Sequence, residues 1–268
     1  MQVNIIIRNG MIIDPANNRE EKGDLYIRDG LISEAYDPSL AAFCYDAAGL
    51  YVFPGLVDYH THIFSDNTEI GINADISFLP QGITSAVDAG SAGVSNMESF
   101  VQNISSRQKT EIKTLINLSP TGLATMKFHE NVDPACWDKA KVKYFLEKYP
   151  SVIKGLKIRI SKEIVGDLGI AVLEKAVALA AELGTRLVVH VTNPPETMDK
   201  IVSMLRPGDV AAHCFHGTGH TILGADGKVL PAVKAAQDRG VIMDAANGGN
   251  HWSFDVAEAA LAEGFCPD

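Results

Sequence analysis

β-Branched and aromatic residues are grouped around turn dipeptides over the first fifty residues, and from Pro54 onward short apolar runs alternate with amphipathic stretches. Three stretches have the first pattern: Asn4–Asp14 around Asn9-Gly10, Asp24–Ala35 around Asp29-Gly30, and Tyr45–Phe53 around Ala48-Gly49. Such runs, broken by turn residues, predict β-strands. The sequence therefore predicts a small β module of the sandwich type over residues 1–53, with a β extension of the main domain as the alternative.

The second pattern covers residues 54–268 and predicts strands that alternate with helices. The predicted strands are Gly55–His60, Ile83–Asp88, Ile112–Asn117, Val152–Ile158, Arg186–Val191, Asp209–Cys214 and Val241–Ala245. Between them, Asp167–Leu183 has apolar residues at helical spacing. Gly82, Gly184, Gly208 and Gly240 each stand just before a strand, where a glycine that ends a helix is expected.

Seven strand–helix units in series favour a parallel sheet with helical crossovers, and such a sheet closed on itself is a barrel. The predicted fold class is α/β, with a (β/α)₈ TIM-type barrel over residues 54–268 and the small module before it. A doubly wound sheet is the alternative, but no G-x-G-x-x-G follows an early strand. An eighth strand would begin after Asp268, so we expect that the chain is truncated before it or that another chain supplies it.

Charge and cysteine content narrow the range of partners. Lys plus Arg number 23 against 33 for Asp plus Glu, which gives a net charge of −10. An acidic surface argues against nucleic acid and anionic membranes, and no apolar run approaches the roughly 18 residues of a membrane span. The four cysteines are scattered and no signal-peptide pattern opens the chain, so we expect free thiols in the cytoplasm. A small molecule is the expected partner, and homo-oligomerisation stays open.

A histidine pair marks the end of the first predicted barrel strand, in Asp58-Tyr-His60-Thr-His62. Side chains alternate across a strand, so His60 and His62 share one face with Asp58. Pointing into the barrel at its C-terminal mouth, the two imidazoles could chelate one metal ion, and histidine is the usual nitrogen ligand of zinc. Taken alone, the pair fits a polar strand end with two surface histidines equally well.

The stretch Phe53-Pro-Gly-Leu-Val-Asp-Tyr-His-Thr-His62, after a small β module, resembles the amidohydrolase superfamily. More narrowly, it is similar to the dihydroorotase-like branch of amidohydrolases and deacetylases, and the resemblance covers the chain from the N-terminal strands to Asp268. It implies a metal-dependent hydrolase on a (β/α)₈ barrel, with a binuclear centre bridged by a carboxylated lysine.

The resemblance places the bridging lysine on the fourth barrel strand, where Lys154-Gly-Leu-Lys157-Ile-Arg159-Ile-Ser161 offers two. Lys154 and Lys157 are three positions apart and face opposite sides of a regular strand. Residues 156, 158 and 160 are apolar and suited to packing beneath helices, so Lys157 and Arg159 point into the barrel. Reaction of the neutral Lys157 amine with carbon dioxide would give N6-carboxylysine, with Lys154 as the less favoured alternative. Without metal, an inward Lys-x-Arg pair suits phosphate or carboxylate binding.

Two further histidines end the fifth and sixth strands, in Leu187-Val-Val-His190 and Val210-Ala-Ala-His213. The resemblance implies that His190 and His213 hold the second metal ion. His216 and His220 lie in the loop that follows and could line the pocket. Neither His129 nor His251 receives a metal role.

The resemblance also implies a general base, an aspartate at the end of the eighth strand, and no residue of this sequence occupies that position. Asp88 and Asp244 lie on other strands, so no catalytic residue is assigned. For the substrate, Arg159 could pair with a carboxylate or form a structural ion pair. The loop after strand seven could bring its backbone close to a ligand at Asn247 and Gly248, or could simply be flexible. Asn117 is a weaker pocket candidate.

The resulting hypothesis is hydrolysis of an amide, of the N-acyl amino-acid or cyclic type, or of an ester. Hydroxide would come from a water activated by two divalent ions, with zinc in first place. Two alternatives stay open: a metal-binding relative that acts as a scaffold without catalysis, and a mononuclear deaminase on the same fold. Likeness to dihydroorotase alone does not assign a role in pyrimidine synthesis.

Overall fold

The structure is a computed structural model that describes residues 4–33 and 42–268. The chain divides into two compact units, Met1–Leu56 and Val57–Asp268. The N-terminal unit contains a mixed sheet, whose strands in the described residues are β1 (Asn4–Asp14), β2 (Arg19–Arg28), β3 (Leu31–Ser33), β4 (Ala42–Asp46) and β5 (Tyr51–Val52). The order is β3-β2-β1-β4, and β5 also pairs with β1. β1 is antiparallel to β2 and parallel to β4 and β5.

The Asn9-Gly10 pair is not the turn that the sequence predicts. β1 continues through it, and its register with β2 shifts between Ile7 and Gly10. Asn9 has a φ of 61°, and its side-chain amide donates to Asp46 Oδ1 at 3.0 Å. A β-bulge with Asn in a left-handed conformation uses the same residues as a tight turn, which explains the wrong prediction. Asp29-Gly30 does connect β2 to β3, although the end of that predicted stretch, at Ala35, lies outside the described residues.

The second unit is built on a parallel sheet whose strands follow one another in chain order. Over the described residues these strands are β6 (Leu56–Thr61), β7 (Ile83–Asp88), β8 (Glu111–Asn117), β9 (Ile153–Arg159), β10 (Leu187–His190), β11 (Val210–Ala212) and β12 (Ile242–Asp244). All seven predicted strands are confirmed. The sheet curls until its outer strands approach each other, since His60 Nδ1 on β6 lies 2.7 Å from Asp244 Oδ2 on β12. A barrel-type sheet with helical crossovers is therefore confirmed.

Helices connect the strands of this sheet. In the described part of the chain they are α1 (Ala74–Ser77), α2 (Met97–Phe100), α3 (Lys139–Lys148), α4 (Lys162–Val165), α5 (Ala171–Glu182), α6 (Met198–Met204), α7 (Pro231–Asp238) and α8 (Phe254–Ala262). The helix predicted over Asp167–Leu183 corresponds to a short 3₁₀ turn followed by α5. None of the helices in residues 4–33 and 42–268 combines the length and apolar character needed to cross a membrane.

The two faces of the sheet have separate apolar layers. Leu156, Ile158 and Val189 belong to a large buried cluster that also contains the core residues of the helices. Val188 and Val210 alternate with those positions and form a small second cluster with three other buried residues. Strand alternation therefore fills the interior of the sheet with aliphatic side chains towards the amino ends of the strands. Polar side chains from the same strands lie at the carboxyl ends.

Asp209 connects neighbouring parts of this unit. Its buried carboxylate accepts hydrogen bonds from the backbone N–H of Leu187 at 2.8 Å and from the backbone, Nε and Nη2 of Arg206 at 2.9, 2.9 and 2.7 Å. These bonds fix the start of β10 against the segment that leads into β11.

We expect Asp209→Ala to lower the free energy of unfolding by about 3 kcal/mol, because it leaves a buried N–H and a guanidinium without their acceptor. Urea denaturation measures the change. Glu196→Ala removes a half-exposed partner of Lys200 one helical turn away and serves as the control, with an unfolding midpoint close to that of the wild type. Equal midpoints for the two variants would contradict the role given to Asp209.

Candidate metal centre

A cavity of about 480 Å³ lies at the carboxyl ends of the barrel strands. Its lining combines imidazoles, an amine, a guanidinium, an aliphatic wall and a glycine-rich loop. The residues are His60, Thr61, His62, Ile70, Ile72, Leu123, Met126, Lys157, Arg159, His190, His213, Ala246, Asn247, Gly248, Gly249, Asn250 and His251. Its volume falls in the range of small-molecule sites, and its position is the one that catalytic residues occupy in barrels.

The structure brings the five residues of the predicted metal site to this cavity. Lys157 Nζ lies 3.4 Å from His60 Nε2. The ring centroid of His213 is 4.8 Å from that of His60 and 4.5 Å from that of His190, and the His60 and His62 rings are 6.1 Å apart. Four imidazoles and one amine from four strand ends therefore converge.

His213 reaches the cavity through its backbone conformation. Ala212, the residue before it, faces the interior aliphatic cluster, so strand alternation would direct His213 to the opposite side. Its φ of 71° breaks that alternation, and its backbone N–H donates to the Asp244 carbonyl at 2.8 Å. A non-glycine residue in this conformation is uncommon, and such residues are often found at functional sites.

Hydrogen bonds engage one nitrogen of three of these imidazoles. His60 Nδ1 lies 2.7 Å from Asp244 Oδ2, His62 Nδ1 lies 2.9 Å from Ser91 Oγ, and His213 Nδ1 lies 2.9 Å from the Ala246 carbonyl oxygen. Each contact orients its ring and leaves Nε2 for another partner. This is the arrangement by which outer groups orient metal-binding histidines in proteins.

Burial disfavours the cationic forms of these groups. It lowers the pKa of His60, His62, His190 and His213, and the charge of Lys157 contributes in each case. Burial also lowers the pKa of the Lys157 amine to about 7. Neutral imidazoles and a neutral amine present lone pairs, and metal binding and carbamate formation both require a lone pair.

Lys157 fits because Gly90 has no side chain. A Cβ on Gly90 would lie 2.5 Å from Lys157 Cβ, and Gly90 has a φ of 85°. Asn117 is buried and does not line the cavity; its amide donates to the Gly90 carbonyl at 3.0 Å. Lys154, the alternative bridging residue, is exposed, and its Nζ donates to the Pro150 carbonyl.

Asp88 holds the loop that carries Gly90 and Ser91. Its wholly buried carboxylate accepts from the backbone N–H groups of Ile63, Gly90 and Ser91 at 2.9, 3.1 and 2.6 Å. Burial raises its pKa, and these hydrogen bonds oppose that effect. Asp88 is thus a structural support of the site, consistent with its exclusion as the general base.

The three predicted substrate-binding residues, Arg159, Asn247 and Gly248, all line the cavity. Arg159 also forms an ion pair, with Nη1 3.2 Å from Glu130 Oε2. Arg159 Nε and Glu130 Oε1 are buried and have no hydrogen-bond partner in the described residues. Arg159 therefore forms the structural ion pair that was its alternative role, and it also lines the cavity.

Two parts of the site were not predicted from the sequence pattern. His251 lies in the cavity, with its ring centroid 4.4 Å from that of His213, although its loop has no periodic pattern that would place it there. The aliphatic wall of Ile70, Ile72, Leu123 and Met126 comes from two connecting loops, which carry no strand parity. His216 is buried outside the lining, and His129 and His220 are exposed.

The donor set fits a divalent ion of borderline softness. Neutral imidazoles with one nitrogen already engaged are typical ligands of zinc, and a carboxylated lysine would add oxygen donors. The buried amine beside His60 is costly as a cation, and conversion to a metal-binding carbamate would remove that cost.

Comparison with known proteins gives two kinds of relative. The chain is 34% identical to a deacetylase of Agrobacterium fabrum over 223 residues, which are 83% of this chain and 55% of that protein. It superposes on a dihydroorotase with a TM-score of 0.87 at 30% identity, over 98% of this chain and 70% of that one. An adenine deaminase gives a TM-score of 0.85 at 29% identity, over 98% and 71%. No protein-family model matches the chain. The chain spans little more than half the length of the curated deacetylases that it matches.

We expect Gly90→Ala to lower the free energy of unfolding by about 3 kcal/mol, because the added Cβ collides with the Lys157 side chain and the backbone conformation is strained. Urea denaturation checks this. Gly82→Ala is the matched control, since Gly82 has a φ of 78° and open space around its Cα, so it reports strain without collision. A loss for Gly90→Ala no larger than that of the control would show that Lys157 is not confined here.

Proposed function

The chain belongs to the amidohydrolase superfamily, and on that premise we propose that its barrel cavity binds divalent metal and hydrolyses a C–N bond of a small molecule. The observation that carries the proposal is the convergence of Lys157 and four neutral imidazoles on one cavity. Hydrolases of this kind need a site that activates water and polarises a carbonyl within reach of a bound substrate.

We assign the predicted ligands to two ions, zinc in first place. His60 and His62 would hold one ion, His190 and His213 the other, and Lys157, as N6-carboxylysine, would bridge them. A divalent ion at such a site lowers the pKa of water and acts as a Lewis acid toward a carbonyl oxygen.

The remaining residues orient these groups. Asp244 fixes the His60 ring through the 2.7 Å contact, and Ser91 fixes that of His62. Both partners lie on segments tied into the barrel, because the Asp244 carbonyl accepts from His213 and Cys214 and the Ser91 N–H donates to Asp88. The rings are therefore held in place before any ligand arrives, which favours a defined geometry at the reacting centre.

The cavity chemistry suits an N-acyl amino acid or a cyclic amide that carries a carboxylate. Arg159 offers guanidinium donors for the carboxylate, and Ile70 and Met126 belong to an aliphatic wall that can cover an apolar group. The backbone at Asn247 and Gly248 can approach the ligand closely. The deacetylase relatives support the acyl amide, and the dihydroorotase neighbour supports the cyclic one.

Deamination is the second candidate, favoured by the superposition on an adenine deaminase. It is also hydrolysis of a C–N bond, with ammonia as the leaving group. A single-metal site would need no lysine bridge, so metal content separates this candidate from the first.

The deciding experiment measures bound metal on the purified chain, and turnover on a protein that also carries the strand-eight aspartate that the resemblance implies. We expect two zinc ions per chain and release of carboxylate or ring-opened product from a panel of N-acetyl amino acids and cyclic amides. Chelation should abolish the activity. One ion with ammonia release from adenine would favour deamination, and bound metal without turnover of any substrate in the panel would favour a scaffold.

We expect Lys157→Met to abolish incorporation of a ¹³C carbamate from labelled bicarbonate in the presence of zinc, and to reduce bound zinc from two ions to one or none. ¹³C NMR and elemental analysis measure these quantities. Lys154→Met is the control, because the Lys154 side chain is exposed and lies on the opposite face of β9 from the cavity. A carbamate that persists in Lys157→Met would contradict the assignment.

We expect Arg159→Met, combined with Glu130→Gln to avoid a buried unpaired carboxylate, to raise KM at least tenfold for carboxylate-bearing amides. The kcat should change little, and neutral analogues of the same amides should keep their KM. Steady-state kinetics on each matched pair of substrates checks this. Equal effects on charged and neutral substrates would assign Arg159 a structural role only.

A further inference from the structure

The loop after β12 places a fifth imidazole in the cavity, beside the two that would hold the second ion. The His251 ring centroid lies 4.7 Å from that of His190 and 4.4 Å from that of His213. Each of these three histidines offers one ring nitrogen, and the three nitrogens lie within 4.8 Å of one another. The group comes from three consecutive segments of the sheet: the end of β10, the end of β11 and the loop after β12.

Contacts with the barrel hold the His251 ring in this position. Its Nδ1 lies 3.0 Å from the Thr192 hydroxyl, and Thr192 is itself buried and accepts a hydrogen bond from Ser161 Oγ through its carbonyl. The backbone N–H of His251 donates to the Gly248 carbonyl at 2.9 Å, which closes a turn. With Nδ1 engaged, Nε2 remains for a ligand, as it does for His213.

Three imidazoles with an open fourth position are a known ligand set for catalytic zinc. Two nitrogens on one tetrahedral zinc are roughly 3.4 Å apart, given bonds of about 2.0–2.1 Å. The nitrogens of the observed group lie within 4.8 Å of one another, so ring rotations could bring them to this spacing around an ion.

We propose that His190, His213 and His251 form a three-imidazole site for a divalent ion of the zinc type. The proposal rests on the proposed function in that the same cavity is involved, and it changes the second ion's ligands from two imidazoles to three. With three imidazoles on this ion, the modified Lys157 would supply a further ligand to it.

The test compares wild type, His251→Ala and His251→Gln as full chains stripped of metal by chelation. Zinc affinity is measured by competition with a chromophoric chelator, and Co²⁺ absorption reports the ligand set directly. We expect both variants to lose at least tenfold in affinity for one of the two ions, and their Co²⁺ spectra to differ from that of the wild type. His220→Ala, at an exposed position outside the cavity lining, should match the wild type in both measurements.

Two further measurements keep the outcomes separate. In a His62→Ala background, which weakens the other site, the remaining ion should still depend on His251. Circular dichroism confirms that each variant is folded, and His251→Gln keeps a polar side chain of similar reach should His251→Ala disturb the loop. Unchanged zinc affinity and Co²⁺ spectra in both folded variants would overturn the proposal. Amide turnover by the wild type tests the proposed function independently of His251. If His251→Ala binds zinc fully but turns over amide more slowly, the hydrolase function stands, His251 is a substrate contact and the three-imidazole site is wrong.

Discussion

The Lys157 amine, buried among neutral imidazoles, is the constraint on which the rest of the site depends. Burial removes solvation of an ammonium at this position and lowers its pKa to about 7, and burial also lowers the pKa of the neighbouring imidazoles. The surrounding residues serve that arrangement. Gly90 leaves room for the lysine stem, Asn117 fixes the Gly90 carbonyl, and Asp88 holds the loop in between. A group with reactive lone pairs is thereby kept in a fixed place.

The apolar packing of the parallel sheet offsets the energetic cost of burying so many polar groups together. Along β10 and β11 the interior positions are aliphatic at the lower levels, as at Val188 and Val210, and His190 follows on the same face at the strand end. The apolar layer supplies the packing, so polar residues can be confined to the carboxyl ends. The one departure from alternation, the left-handed backbone at His213, adds a ring that a regular strand would direct away.

Much of this architecture could be predicted from the sequence because strands impose parity. The seven apolar runs gave the barrel strands within two residues, and alternation around Lys157 separated it from Lys154. Parity fails where the backbone is irregular. It gave no information on His251 or on the aliphatic wall, which belong to loops. At Asn9-Gly10 the turn dipeptide predicted a turn where the structure has a β-bulge. The ion pair of Arg159 with Glu130 joins a strand to a loop, so spacing along the chain could not predict it either.

The contact between His60 and Asp244 joins residues 184 positions apart in the chain. Loop-closure entropy grows only slowly with the length of the closed segment, but this contact needs the intervening strand–helix units to bring β6 and β12 together. The site therefore matures only when the two outer strands have met. The His60 ring that would hold a metal ion on β6 is thus oriented by a carboxylate on β12, so depletion of the ion should loosen β6 before the inner strands of the sheet.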